Sequence, residues 1–231
     1  MPLVFSPLTE AVLDSTPKRL LPKHAFVMRQ LGEPPEIDQR MTEIVREVFE
    51  ARGFPITDAD GFTGGKDFLE RILGLIRSTG FTVAIFSHET RFTALANIML
   101  ELGFAAMCGK PLIIVKSDQA KAPSDISRTD WINYAPGQED NFRRKLGQAL
   151  DAIGDLIHYE DTLLDVALNA RSIDCAIAFE RANKGYLLSG ERRFVEAAKA
   201  ILARLNAAGE PATIGDLERL RAEIGAFLRQ T

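Results

Sequence analysis

The stretch FTVAIFSHETRFTALANIMLELGFAAMCGKPLIIV, residues 81–115, decides the fold class of this chain. Its first six residues, Phe81–Phe86, are mostly β-branched and aromatic, which predicts a buried strand. The apolar run over 92–108 predicts a helix, and the Gly-Lys-Pro turn at 109–111 ends it before a second buried strand at Leu112–Val115. A strand, a helix and a strand in this order predict a parallel β-α-β unit, because parallel strands need a crossover connection.

The same alternation continues on both sides of this unit. Runs of four mostly apolar residues predict further strands, and amphipathic spacing predicts the helices between them. The proline in Phe54–Thr57 favours an edge position for that strand. The strands predicted outside the unit are Ala25–Met28, Phe54–Thr57 and Trp131–Tyr134, and the helices are 37–52, 67–78 and 139–153. We therefore expect an α/β fold with a doubly wound, flavodoxin-like parallel sheet.

Three regions differ in composition and predict the domain organisation. Residues 1–22 hold four prolines and predict an extended arm with one helical turn at Leu8–Leu13. Residues 23–154 form the predicted α/β domain. Residues 155–231 predict helices only and so form an all-helical appendage that serves oligomerisation or partner binding. The helices expected in this appendage are 158–170, 173–184, 190–207 and 213–229.

Composition excludes several classes of partner. The 231 residues are 46% hydrophobic and 26% charged, with a formal net charge of −4. Because the lysines and arginines do not cluster, nucleic acid is not an expected partner. No apolar run approaches the ~18 residues of a membrane span, so no membrane association is expected. The start of the chain does not resemble a signal peptide, and two distant cysteines match no metal-binding spacing, which predicts free thiols, no metal site and a cytoplasmic protein.

Polar side chains follow the predicted strands at their carboxyl ends. In doubly wound sheets, ligands bind beyond this edge. The expected substrate-binding residues at this edge are Arg29, Gln30, Asp58, Asp60, Phe62, Ser87 and His88.

Asn97 and Glu101 are the polar exceptions in the first half of the stretch Ala96–Val115. Their spacing of four places them on one helix face, one turn apart. A carboxylate among apolar neighbours must face a cleft, find a partner or carry a raised pKa. Glu101 is therefore a candidate catalytic residue. The alternative is a structural ion pair of Glu101 with Arg29 or Lys110.

The motifs of residues 24–150 together resemble the nucleoside 2-deoxyribosyltransferase-like superfamily and the related TIR-like domains of bacterial signalling and antiviral defence. The Asn-x-x-x-Glu-Leu-Gly motif with a following Gly-Lys-Pro is the most specific part of this resemblance. The segments that carry it are Gly53-Phe54, Asp58–Asp67, Val83–Phe86, Asn97–Ala105 and Gly109-Lys110-Pro111.

The resemblance implies roles for the candidate residues. In that superfamily the glutamate at the position of Glu101 acts on C1′ of a ribosyl or deoxyribosyl group and an N-glycosidic bond is broken. Asn97 would hold a sugar hydroxyl or orient Glu101. Arg29 and Gln30 would meet a phosphate or base edge, and the remaining rim residues would line the pocket for base and ribose.

Two positions depart from the family pattern. Transferases of this family carry an acidic residue directly after the central strand, where this chain has Ser87-His88, and many carry an aspartate before it, where this chain has Gly80-Phe81. Asp60 or Glu89 would then have to serve as a second carboxylate. These departures weaken the transferase interpretation more than the hydrolase interpretation.

Three functions follow from the resemblance. The leading hypothesis is an N-glycosidase that hydrolyses NAD or another nucleotide without a further cofactor, as a regulated effector whose helical tail mediates self-association or contact with a protein partner. The alternatives are a non-catalytic nucleotide-sensing module and a nucleoside 2-deoxyribosyltransferase.

Overall fold

The computed structural model describes the greater part of the 231-residue chain. The described residues are 4–5, 12–13, 17, 19–60, 68–121, 131–169, 175–207 and 214–231. The strands are β1 Val4–Phe5, β2 Val12–Leu13, β3 Leu21–Met28, β4 Ile56–Thr57, β5 Thr79–Phe86, β6 Leu112–Ser117 and β7 Trp131–Tyr134. The helices are α1 Glu36–Ala51, α2 Phe68–Ser78, α3 Phe92–Met107, α4 Glu139–Asn169, α5 Cys175–Ser189, α6 Arg192–Ala207 and α7 Ile214–Leu228.

Five strands form a parallel sheet in the order β4-β3-β5-β6-β7. The register pairs Ala25 with Ile56 on one side, and Val83 with Ile113 on the other. The edge position predicted for the strand with the proline is confirmed, because β4 has a neighbour on one side only. The chain runs from β3 outward to β4 and then returns to add β5, β6 and β7, so the strand order reverses between β3 and β5.

Helices flank this sheet, which confirms the expected α/β fold with a C-terminal helical region. The handedness rule for parallel crossovers places α1 on one face and α2 and α3 on the other, because the chain moves in opposite directions along the sheet before and after β4. The packing of α2 against α3 agrees with this arrangement. Arg143 of α4 donates to Glu47 of α1 at 2.5 Å, which places α4 beside α1.

The centre of the sheet is the core of this unit. Every residue of β5 is buried. Phe81 of β5 packs on Phe49 of α1 with ring centroids 5.8 Å apart, and Phe54 meets the same ring edge-on at 5.5 Å. A strand covered on both faces explains the continuous apolar sequence of 81–86, which shows no polar alternation.

The chain divides into two compact units, Lys23–Ile153 and a second unit of Met1–Pro22 with Gly154–Thr231. In the second unit β1 and β2 pair antiparallel, so the helical turn predicted at Leu8–Leu13 is wrong at Val12 and Leu13, which lie in β2.

Helix α4 corrects the predicted break between 139–153 and 158–170. It runs without interruption from Glu139 to Asn169. Gly154 lies at the expected break, but a lone glycine inside a helix costs only about 1 kcal/mol and the segment holds no proline.

The helical unit has an apolar core of its own. Phe194 and Phe227 are fully buried in it, and the Phe227 ring meets Phe179 and Tyr186 edge-on at 5.6 and 5.4 Å. Among the described residues, no helix combines the length and apolar character that crossing a bilayer requires.

Candidate functional site at the carboxyl edge of the sheet

The reversal of strand order makes the carboxyl ends of β3 and β5 the topological switch point of the sheet. Arg29 and Gln30 follow β3, and Ser87 and His88 follow β5. Open α/β sheets bind their ligands at this topological switch point. The fold thus brings four of the predicted site residues to two neighbouring strand ends.

Arg29 organises the outer part of this edge. Its Nε and Nη2 donate to the Asp58 carboxylate at 3.0 and 2.8 Å, and Nη2 also donates to Asp60 at 3.0 Å. Asp58 Oδ1 in turn accepts the backbone N–H of Asp60 at 3.0 Å. Three residues predicted to meet a ligand are therefore assembled, and their charges are paired with each other.

Gln30 is buried and both ends of its amide are occupied. Its Oε1 accepts the N–H of Arg91 at 2.9 Å, and its Nε2 donates to the carbonyl of Glu33 at 2.8 Å. These bonds tie the end of β3 to the first residue before α3. In this arrangement Gln30 links the end of β3 to the start of α3, and contact with a base or phosphate would require it to give up one of these bonds.

The loop after β5 is held by a short chain of hydrogen bonds. Thr90 Oγ1 accepts the N–H of Ser87 at 2.7 Å and donates to Asp38 Oδ2 of α1 at 2.7 Å. Ser87 Oγ accepts the N–H of Glu89 at 3.1 Å. The hydroxyl of Ser87 thus supports the turn that leads into α3.

Asp38 is a rim residue that the sequence interpretation missed. Its side chain is buried, and its Oδ1 has no hydrogen-bond partner among the described residues. Burial raises the pKa of the Asp38 carboxyl above its ordinary value, and the hydroxyls of Ser87 and Thr90 act against that rise. The sequence spacing did indicate that Asp38 is buried. It lies one turn before Met41 and two turns before Val45, on the buried face of α1.

His88 is anchored to the next strand of the sheet. Its backbone N–H donates to Ser117 Oγ at 3.2 Å, and its ring Nδ1 lies 3.1 Å from the same oxygen. Its Nε2 is 3.7 Å from the Glu89 carboxylate. Ser117 ends β6 and is buried, so β6 braces the loop after β5 on the side opposite to Gln30.

Asn97 and Glu101 lie on α3, which follows β5 after a loop of five residues and packs against α2, β5 and β6. Asn97 is exposed and Glu101 is half-buried. Burial raises the pKa of the Glu101 carboxyl to about 7. A carboxyl group with this pKa titrates in the physiological range, as groups that do acid–base or electrostatic chemistry often do.

The structural ion pair considered for Glu101 is absent from the described residues. Arg29 is bound to Asp58 and Asp60. Lys110 Nζ donates to the carbonyls of Arg77 and Thr79 at 3.1 and 2.5 Å. No described residue donates a hydrogen bond or an ion pair to the carboxylate, so desolvation alone accounts for the raised pKa of Glu101.

A groove of about 400 Å³ opens beside Arg29 on the α1 side of the edge. Glu101 is not among the described residues that line it. Its lining residues are Arg29, Pro34, Gln39, Thr42, Glu43, Arg46 and Glu47. Phe62, the remaining predicted site residue, lies outside the described residues.

Comparison of the chain with protein-family models, with curated proteins and with solved structures found no match. We therefore argue function from the chemistry of the sheet edge and of α3.

Proposed function

We propose that this protein is an N-glycosidase that hydrolyses the N-ribosyl bond of NAD or another nucleotide, with Glu101 as the essential carboxylate. The proposal rests on the burial and the raised pKa of Glu101. The carboxyl group is half-buried, lacks a partner among the described residues and has a pKa raised to about 7. Its helix is the one that follows the central strand β5 of a sheet whose switch point lies at that strand end.

The chemistry suits a carboxylate in such a place. Cleavage of an N-glycosidic bond passes through an oxocarbenium-like transition state, with positive charge at C1′. An ionised carboxylate stabilises that charge more strongly where water is partly excluded. Asn97, one turn earlier and exposed, would hold a sugar hydroxyl. Water then adds to C1′ and releases one proton to the solvent, while the base departs with the electron pair of the broken bond.

The pairing of Asp58 and Asp60 with Arg29 favours NAD as the substrate. A neutral base needs a proton as it leaves, whereas nicotinamide leaves the pyridinium of NAD as a neutral molecule without one. Asp58 and Asp60 are bound to Arg29, and Glu89 lies beside His88. Because Asp58 and Asp60 are paired with Arg29, a substrate that needs no general acid from these two carboxylates fits this part of the edge best.

The test is to incubate the purified full chain with NAD and with a panel of nucleotides, and to measure free base by chromatography. We expect nicotinamide release by the unaltered protein and a loss of at least a hundredfold in Glu101→Gln. The matched control is Glu50→Gln, on the exposed face of α1, which should keep full activity. Equal turnover in Glu101→Gln and the unaltered protein would exclude the proposed role of Glu101.

The pH dependence gives a second readout of the same carboxyl group. Because the ionised form is the active one, kcat/KM should rise about tenfold per pH unit below 7 and become level above it. A rate that falls as the pH rises through 7 would instead make Glu101 a proton donor. Two other outcomes would support the alternative functions: intact NAD retained on the protein indicates a nucleotide sensor, and base exchange between deoxynucleosides indicates a transferase.

A further inference from the structure

Helix α3 presents an outward face that has no charge. Its residues Phe92, Leu100 and Met107 are 84%, 52% and 58% exposed, although all three are large and apolar. The exposed positions between them include Ala96 and Gly103. A surface helix ordinarily carries charged and polar residues on its outer face.

Helix α1 of the same unit shows the ordinary pattern and so provides a comparison. Its exposed positions are mainly charged, among them Arg40, Glu43, Arg46 and Glu50. In contrast, Glu101 is the only charged residue of α3, and it lies outside the exposed apolar face that holds Phe92, Leu100 and Met107. The difference indicates that the outer face of α3 is built for contact with another apolar surface.

Gly103 supports this interpretation independently. A glycine inside a helix costs about 0.5–1 kcal/mol relative to alanine, so it usually has a packing reason. A Cβ atom added at Gly103 would meet nothing within 4 Å. No described part of the chain therefore requires a glycine here, whereas the close approach of a second backbone would.

The order of residues along the stripe identifies its partner. Counted from the midpoint between Met99 and Leu100, Phe92 and Met107 lie at equal distances on opposite sides, and so do Ala96 and Gly103. An antiparallel copy of the same helix would therefore set each small residue against a small one and each phenylalanine against a methionine. Aromatic rings and methionine sulfur attract each other, and a two-fold interface requires this self-complementarity.

We propose that two copies of this chain associate by packing their α3 helices antiparallel across the stripe Phe92, Ala96, Met99, Leu100, Gly103 and Met107. The absence of charge favours a second copy over a charged partner, because the surface offers no charge to complement. Helix α3 is about 24 Å long. A single helix pair is smaller than a standard interface, which buries about 800 Å² per partner, so the dimer should form in a concentration-dependent manner.

Sedimentation velocity of the full chain over a range of concentrations tests the association. We expect a dimer at high concentration, and a monomer at every concentration for Leu100→Glu. The matched control is Ala51→Glu, which adds the same charge at an exposed position of α1 and should still form the dimer. A monomeric unaltered chain at all concentrations, or a dimer that survives Leu100→Glu, would overturn the proposal.

Gly103→Ala separates helix stability from association. In dilute, monomeric protein we expect it to raise the Tm by a few degrees, because alanine is the better helix former and its Cβ has open space. At high concentration we expect it to weaken the dimer at least tenfold. If Gly103→Ala raised both the Tm of the monomer and the affinity of the dimer, close approach of the two backbones at Gly103 would be refuted.

Cysteine cross-linking tests the direction of pairing, in a Cys108→Ser, Cys175→Ser background. In the antiparallel pair, the two Leu100 positions are offset along the helix axes by about 2 Å, whereas the two Ala96 positions are offset by about 10 Å. A disulfide needs Cα atoms within about 7 Å. Leu100→Cys should therefore link to its copy and Ala96→Cys should not. Efficient self-linking of Ala96→Cys would show parallel pairing and contradict the proposed arrangement.

Discussion

At the scale of single residues, the carboxyl edge is organised by side chains that bind each other. Arg29 holds Asp58 and Asp60, Gln30 holds the backbone of Arg91, and Asp38 holds Thr90. Gln30 and Asp38 are buried, and a buried polar group left without a partner costs about 1–3 kcal/mol. Glu101 differs, because its carboxyl group has given up hydration without gaining a described partner.

That difference predicts a dependence of stability on pH. The pKa of Glu101 is about 7 in the folded protein and 4.5 in its ordinary state. Between these pH values the folded protein retains a proton that the unfolded chain has released, so stability falls as the pH rises from about 4.5 to 7. At about 1.4 kcal/mol per unit, the loss is on the order of 3 kcal/mol.

Urea unfolding of Glu101→Gln and of the unaltered protein, at pH 4 and pH 8, measures this effect. The variant cannot titrate at this position. We expect it to be more stable than the unaltered protein at pH 8, by up to about 3 kcal/mol, and nearly equal to it at pH 4. A variant that is less stable at pH 8 would show that the charged carboxylate is paired in the folded protein.

At the scale of elements, two helical glycines of the C-terminal unit have opposite surroundings. A Cβ at Gly185 of α5 would lie 2.1 Å from a ring carbon of Phe194, whereas a Cβ at Gly154 of α4 would meet nothing within 4 Å. Phe194 is fully buried and cannot swing into solvent. The close crossing of α5 and α6 therefore depends on the missing side chain at Gly185.

Gly185→Ala should destabilise the protein by at least 1–3 kcal/mol, because the added methyl group forces the buried ring and the helix backbone apart. Thermal unfolding followed by circular dichroism measures the change. Gly154→Ala serves as the matched control and should be neutral or slightly stabilising. Similar Tm values for the two variants would mean that α5 and α6 can separate at little cost.

At the scale of the whole molecule, the chain forms two compact units with apolar cores of their own. The core of Lys23–Ile153 surrounds β5, and the core of the helical unit surrounds Phe194 and Phe227. Regions with separate cores commonly open with separate free energies. We expect β5, buried along its whole length, to belong to the most stable part of the sheet unit.

Native-state hydrogen exchange of the full chain at increasing urea measures these openings. The amides of α5 and α6 should share one opening free energy, and those of β5 and β6 should share a different one. In Gly185→Ala only the first value should fall. An equal fall in both values would show that the molecule opens as a single cooperative unit.

The elements that depend on local patterns could be predicted from the sequence. Apolar spacing predicts the strand at 81–86, the helix after it and the strand at 112. Gly109 and Pro111 mark the end of the helix, and all these signals act within a few residues. The strand Trp131–Tyr134 was predicted with its exact bounds. The predicted break in the helix before residue 158 is wrong. Helix α4 continues through Gly154, because a single glycine disfavours a helix only weakly.

Within residues 23–153 the sequence alone therefore determined the order of strands and helices and the sheet edge at which polar residues gather, since both follow from periodicity and from the parallel crossover. Only the tertiary structure decided which of those polar side chains are hydrogen-bonded to other residues of the chain. Gln30 and Arg91 are 61 residues apart, and Asp38 and Thr90 are 52 apart, and no local pattern encodes such contacts. The pKa of Glu101 likewise arises from the packing around α3, because desolvation depends on every element that excludes water from the carboxyl group.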